Sequence, residues 1–350
     1  MKRRKEDLEK TLKSTPKAEF PGMRSYTSRY TQIAEFLERE VHPYVQMGAL
    51  LEDGIFLNDH GAEHVRTVIE RASQLVSAQD FDLTGYEVYL LLAAIQLHDI
   101  GNLLGRLAHE KKPAEIRGRL QDELGDNALE KKMIFDIAAA HGGDIGGDKD
   151  TIRHLPTTAR LLNFVVEPQK LAAILRFADE LADDRRRASR FVISQGRIPD
   201  RSRLYHKYSE TLQSVIVDTT GKEVHLDFEL TSADACCRFV KNGTDVYLLD
   251  EIFARTLKMH FERMYCMRFL MPKLIDRINV KVSVFTGRSF KPLEVGWRLE
   301  ERGYPQNSST TVHDLDESLT SWKGVGLNAA TLEAAVRQKE AEEASNGQGR

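Results

Sequence analysis

The stretch Leu90–Asn102, LLLAAIQLHDIGN, decides how the rest of the chain is read. Seven of its first eight residues are apolar, which suits a buried helix. Thr84 and Glu87 just upstream form the capping-box pattern that starts one. The stretch then ends in His98 and Asp99. A bare carboxylate carried to the end of a hydrophobic helix is costly unless a cation meets it. Gly101 is placed to take a left-handed turn that stops the helix.

Helical periodicity extends in both directions. Ile33, Phe36, Leu37, Val41, Tyr44 and Val45 predict an amphipathic helix from Ser28 to about Leu51, interrupted at Pro43. Asn58 or Asp59 can cap a second helix, whose apolar face is Val65, Val68, Ile69, Ala72, Leu75 and Val76. Downstream, 113–124 and 127–141 read as helices, the latter stopped by Gly142-Gly143. A further helix starts at Pro168 and runs to about Ala188. Residues 26–192 are therefore expected to form a helical domain, preceded by a charged, frayed arm at 1–25. The pattern then changes. Residues 214–218 and 223–230 read as strands around a turn at 219–222, 245–270 as a helix and 278–285 as a strand. This predicts a small α+β domain over 200–288, in the order strand-strand-helix-strand. Phe253, Leu257, Phe261, Tyr265 and Phe269 form a stripe expected to face its core, with dimer contact as the second reading. Residues 289–350 read as a largely flexible tail with a short helix at 329–343. The fold class is mostly α.

Bulk properties narrow the function. The net charge of −3 over 350 residues argues against an electrostatic nucleic-acid binder. No run approaches the roughly 18 apolar residues that span a bilayer. Cys236, Cys237 and Cys266 are odd in number and contain no C-x-x-C, so neither a disulfide framework nor a cysteine zinc site is expected. A reducing, cytoplasmic setting follows as the expectation.

The chemistry-bearing residues are histidines and aspartates at helix ends or on helix faces: His64, His98, Asp99, His109, His141 and Asp179. A divalent ion would offset the carboxylates, and Mn, Fe, Mg, Zn, Co and Ni are not distinguished. Each residue alone also has an ordinary reading. His141 before two glycines suits a helix C-terminal cation, and His109 a loop residue. His60 lies four residues before His64, where it can help start that helix or support His64. His154 reads as structural, Asp144 and Asp148 as turn residues. Asp183 and Asp184 are expected to pair with Arg185, Arg186 and Arg187.

In this order, His64, the doublet in LHDIG, His109, His141 in AAAHGGD and Asp179 in RFADE resemble the HD superfamily of metal-dependent phosphohydrolases. The resemblance covers roughly residues 45–190. It implies that His64, His98, Asp99 and Asp179 hold one metal, and that Asp99 bridges to a second held also by His109 and His141, giving two per chain. It further implies a metal-activated hydroxide attacking phosphorus, with Asp99 and His98 as the catalytic pair. The substrate would be a phosphomonoester or phosphodiester, with a nucleotide or nucleotide derivative favoured. Arg176, Asn102 and Lys112 are the expected substrate contacts. Asn102 stands where many relatives carry Lys, His141 is followed by Gly rather than a second His, and the signature of the cyclic-di-GMP branch is absent. Two alternatives remain open: a nucleotide-sensing regulatory module with little turnover, and a nuclease on single-stranded nucleic acid. A homodimer is also left open.

Overall fold

The computed structural model describes residues 7–45, 61–78, 81–104, 124–125, 127–187, 198–241, 243–287, 291–301, 303 and 309–347. The fold is mostly α with an α+β part. The chain divides into two compact units: Met1–Asp183 with Tyr265–Leu274, and Asp184–Met264 with Ile275–Arg350.

In the first unit, α1 (Leu8–Ser14), α2 (Tyr26–Glu40) and α3 (Ala62–Val76) surround α4 (Gly85–Leu97) together with α5 (Ala128–Ala139) and α6 (Pro168–Glu180). A short antiparallel hairpin, β1 (Ala159–Leu161) with β2 (Phe164–Val166), precedes α6. Every residue of α4 is buried, as its composition requires. Its N-terminus carries the expected capping box between Thr84 and Glu87. The other Glu87 carboxylate oxygen accepts the Glu167 N–H at 3.0 Å, so one side chain serves the starts of α4 and α6. Gly85 leaves no room for a side chain, because a Cβ would lie 2.2 Å from Thr15. Behind α4, Glu130 of α5 is fully buried. It accepts the Tyr26 and Tyr86 hydroxyls at 2.8 and 2.6 Å and pairs with Arg29 at 2.8 Å.

Several expectations need correction. Residues 8–23 are not a frayed arm: Leu8, Leu12 and Phe20 are buried, and the Leu8 N–H donates to Ser73 of α3 at 3.1 Å. The interruption expected at Pro43 is present: α2 closes at Glu40, Val41 leaves helical geometry, and helix resumes over 42–45 with Pro43, which has no N–H to continue the ladder, in its first turn. α6 ends at Glu180 rather than near Ala188. Gly101 is not left-handed; it lies inside a 3-10 turn, Ile100–Leu104, that continues α4. The expected helix at 113–124 falls almost wholly outside the described residues.

In the second unit, α7 (Asp200–Thr211), not anticipated from the sequence, precedes β3 (Leu212–Asp218) and β4 (Glu223–Thr231). With β7 (Arg277–Phe285) and β8 (Leu293–Glu300) they form a sheet in the order β3-β4-β7-β8. β4 and β7 run parallel, with Glu223 opposite Arg277, and the other pairs are antiparallel. Val224, Leu226, Phe228 and Leu230 alternate inward beside Ile278, Val280, Val282 and Val284. Between β4 and β7 come the hairpin β5 (Arg238–Lys241) with β6 (Thr244–Tyr247) and then α8 (Leu248–Cys266). The aromatic stripe of α8 is only half-buried; the buried face is Ile252, Thr256, Met259, His260 and Arg263. The expected flexible tail instead supplies β8 and α9 (Ala329–Gly347). Val295, Trp297 and Leu299 of β8 are buried, and Leu332 and Val336 of α9 are fully so. The alternation in LEVGWRLE signals the strand and was outweighed by the polar residues around it.

Candidate metal centre

Three helices bring polar groups to one point. α3 offers His64 in its first turn, α4 delivers His98 and Asp99 at its C-terminal end, and α6 offers Asp179 in its last turn. His64 Nε2 lies 3.2 Å from His98 Nε2, 3.4 Å from Asp99 Oδ2 and 3.1 Å from Asp179 Oδ1. His98 Nε2 lies 3.4 Å from Asp99 Oδ2 and 3.6 Å from Asp179 Oδ1. One donor atom from each of the four lies within 4.8 Å of all the others. Two imidazole nitrogens at such a distance need a proton or a cation between them.

The donor set fits a divalent ion. Ligand atoms about 2.1 Å from one ion sit about 3.0–3.4 Å apart at octahedral or tetrahedral angles, a range that holds every one of these spacings except the 3.6 Å between His98 and Asp179. Two imidazole nitrogens and two carboxylate oxygens match borderline and hard divalent metals. Burial makes compensation obligatory: His64, His98 and Asp99 are all under 5% exposed, and only the Asp179 side chain, at 26%, reaches solvent. His98 is oriented by its own helix. Its Nδ1 donates to the Ile95 carbonyl at 2.7 Å, which leaves Nε2 as the free lone pair of the neutral ring.

The same groups perturb one another in the metal-free protein. Burial would lower the His98 imidazolium, but the carboxylates of Asp99 and Asp179 outweigh it and push it up to about 9. Burial would raise the Asp179 carboxyl, but hydrogen bonds and charge from His64 and His98 hold it well below the usual range.

Asp99 faces two ways. Oδ2 turns to the histidine pair, while Oδ1 accepts the Asn102 side-chain amide at 3.0 Å and lies 4.0 Å from His141 Nε2. His141 hydrogen-bonds through Nδ1 to the Ala138 carbonyl and meets His98 edge-on at 5.1 Å. It therefore borders the cluster on the far side of Asp99.

Of the expected substrate contacts, Asn102 is fully buried. Its Nδ2 donates to both the Asp99 backbone oxygen, at 3.1 Å, and Oδ1, an arrangement only the amide nitrogen can make. Arg176 is also buried. Nη1 donates to Thr151 Oγ1 at 2.9 Å, and the guanidinium lies 4.5 Å over the Tyr265 ring. His109, Lys112 and His60 lie outside the described residues. The anticipated arginine pairing is seen between Asp184 and Arg186, at 2.8 Å. Sequence reasoning missed the carbonyls of Ile95 and Ala138 that aim the two histidines, although a histidine at a helix end is placed to reach back three residues. It also missed Thr151 and Tyr265, which no local pattern links to the site.

A family model described as HD-CE matches residues 44–256, more than half of the chain. No curated protein is matched. Among the described residues no helix is long and apolar enough to cross a membrane.

Proposed function

Because the chain belongs to the HD-CE family, we propose that it is a metal-dependent phosphohydrolase of the HD type, acting on a phosphomonoester or phosphodiester, with a nucleotide or nucleotide derivative as the favoured class. The observation that carries this reading is the set of four donors from three helices within 4.8 Å of one another. His64, His98, Asp99 and Asp179 would hold the ion. Such an ion, when bound, draws charge from a phosphoryl oxygen and lowers the pKa of a coordinated water toward about 7 in favourable cases.

The chain's own groups supply the rest. The Ile95 carbonyl fixes the His98 tautomer, and Asn102 fixes the Asp99 rotamer, so both enter the reaction already oriented. Asp179 is the most exposed of the four, so substrate is expected to arrive on its side. The second ion implied by the resemblance would draw on Asp99 Oδ1 and His141, with His109.

One observation favours a second reading, a sensing module that binds a nucleotide with little turnover. Asn102, standing where relatives place a cation, is turned inward to Asp99 and offers no charge to a phosphate. The two readings separate in one experiment. Nucleoside mono-, di- and triphosphates and bis-p-nitrophenyl phosphate are incubated with Mn²⁺ and the full chain, with Asp99→Ala as the control. Turnover lost in Asp99→Ala is the expected result. Tight nucleotide binding without turnover supports the sensor, and turnover that survives in Asp99→Ala overturns the metal-centre reading.

A further inference from the structure

Arg176 lies one turn before Asp179 on α6, yet it does not point to the cluster as a free cation. Nη1 donates to Thr151 Oγ1 at 2.9 Å and lies 3.4 Å from the Lys149 carbonyl oxygen. The Thr151 hydroxyl in turn donates to the Ala140 carbonyl at 2.8 Å. Ala140 caps α5 and immediately precedes His141. A continuous path of two hydrogen bonds therefore runs from α6 to the backbone that presents His141.

The path has a further support, from a distant part of the sequence. Tyr265 belongs to the segment Tyr265–Leu274, which returns to the metal-bearing unit after the chain has built much of the second one. The Arg176 guanidinium lies over its ring at 4.5 Å. Its hydroxyl donates to Asp150 Oδ1 at 2.8 Å and accepts the Ile152 N–H at 2.9 Å. Tyr265 thus grips Asp150 and Ile152 while Arg176 grips Thr151 between them. Burial of the phenol, assisted by Asp150, keeps it protonated and able to donate. Three consecutive residues of one loop are fixed by two side chains that are themselves stacked.

We propose that Tyr265, Arg176 and Thr151 are positioning residues that hold His141 against Asp99 Oδ1, so that the metal centre is complete only with the returning segment. Tyr265 lies beyond residues 44–256, so this member of the brace stands outside the matched family region, whereas Thr151 and Arg176 lie within it. The inference rests on the metal-centre reading and adds to it. His141 Nε2 stands 4.0 Å from Asp99 Oδ1, and its Nδ1 is spent on Ala138, so small displacements of the Ala140–His141 backbone translate directly into the position of Nε2. Cation–π stacking gives Arg176 a fixed plane, and a fixed plane is what a directional bond to Thr151 requires.

The test uses the full chain and Mn²⁺, with free ion followed by its EPR signal and the fold by circular dichroism. Thr151→Val removes the hydroxyl at nearly constant shape, and Thr151→Ser restores it. Tyr265→Phe keeps the ring and loses the hydroxyl, whereas Tyr265→Leu loses both. We expect Thr151→Val and Tyr265→Leu to weaken Mn²⁺ binding by about tenfold or more, the range found for groups that orient ligands. Thr151→Ser should bind as wild type and Tyr265→Phe in between. On a His141→Ala background, Thr151→Val should cost nothing further, because the brace acts through His141. Wild-type affinity in folded Thr151→Val and Tyr265→Phe overturns the proposal, as does an undiminished effect of Thr151→Val on the His141→Ala background. If Tyr265→Leu fails to fold, the Thr151 pair and Tyr265→Phe decide. If the wild type binds no Mn²⁺ at all, the metal-centre reading itself fails and the brace with it.

Discussion

At the residue scale, protons and any divalent ion held by the proposed site would compete for the same lone pairs. In the metal-free protein His98 is pushed up to about 9, above an unfolded value of about 6.5. A raised imidazole stabilises the folded state fully below about pH 6.5, and that stabilisation fades as pH rises through about 9. A metal ion requires the neutral ring, so binding must release this proton. The apparent Mn²⁺ affinity should therefore climb about tenfold per pH unit between about pH 6.5 and 8.5, and isothermal titration in buffers of different ionisation heat should count about one proton released. A flat affinity over that interval would exclude His98 as a ligand. Asn102 gives a second expectation. Asn102→Ala frees Asp99 to rotate and should lower Mn²⁺ affinity by about 10–100-fold. The loss of two buried hydrogen bonds should cost about 1–3 kcal/mol of stability. Equilibrium urea unfolding of the metal-free protein and Mn²⁺ titration measure the two effects separately. The histidines and aspartates of the four-donor cluster are visible in the sequence as residue types out of place. The role of Asn102 is not, because its identity suggests a substrate contact and only its geometry shows that it is turned back onto Asp99.

At the element scale, α4 was the most legible feature. Its apolar run, capping box and terminal doublet agree on one outcome, a helix buried on every side that ends at the site. Reading failed where polar residues lie in apolar positions. Residues 1–25 carry enough charge to suggest a loose arm, yet Leu8 and Leu12 recur four apart and Tyr30 donates to Glu9 at 2.7 Å. In α8 the aromatic stripe lies on a half-buried face, and the buried face is not legible in the sequence because Thr256, His260 and Arg263 do not read as core. Buried charge also supplies a sharp stability prediction for the α2–α4–α5 contact. Glu130→Ala would leave Arg29 without its carboxylate and the Tyr26 and Tyr86 hydroxyls without their acceptor. Breaking a buried ion pair by removing one partner costs about 3–5 kcal/mol. Urea unfolding of the variant should show a loss of that order, and a loss under about 1 kcal/mol would mean that the cluster relaxes to water.

At the scale of the whole molecule, the order of the chain is not the order of its compact units. Local patterns place helices and strands, but a segment that returns after an excursion has no local signature, so the sequence alone predicts a helical domain that ends near 192. The unit that carries the metal donors instead takes in Tyr265–Leu274. Within that segment Cys266, Met267, Leu270 and Leu274 are buried to 1% exposure or less. Removing three large apolar side chains from a core forfeits about 1.5–3 kcal/mol each, against a total stability of only about 5–15 kcal/mol for an ordinary domain. A fragment ending at Asp183, although it keeps every residue of the four-donor cluster, should therefore lack a well-packed core. We expect it to bind a hydrophobic dye and to lose the sharp near-ultraviolet dichroism of the full chain while keeping most of its helix signal. Mn²⁺ at millimolar concentration should not restore cooperativity, since the ion compensates the charges of the cluster but not the missing apolar contacts. If the fragment instead melts as sharply as the full chain and shows no dye binding, the returning segment is dispensable to the first unit and the continuous domain read from the sequence is the better description.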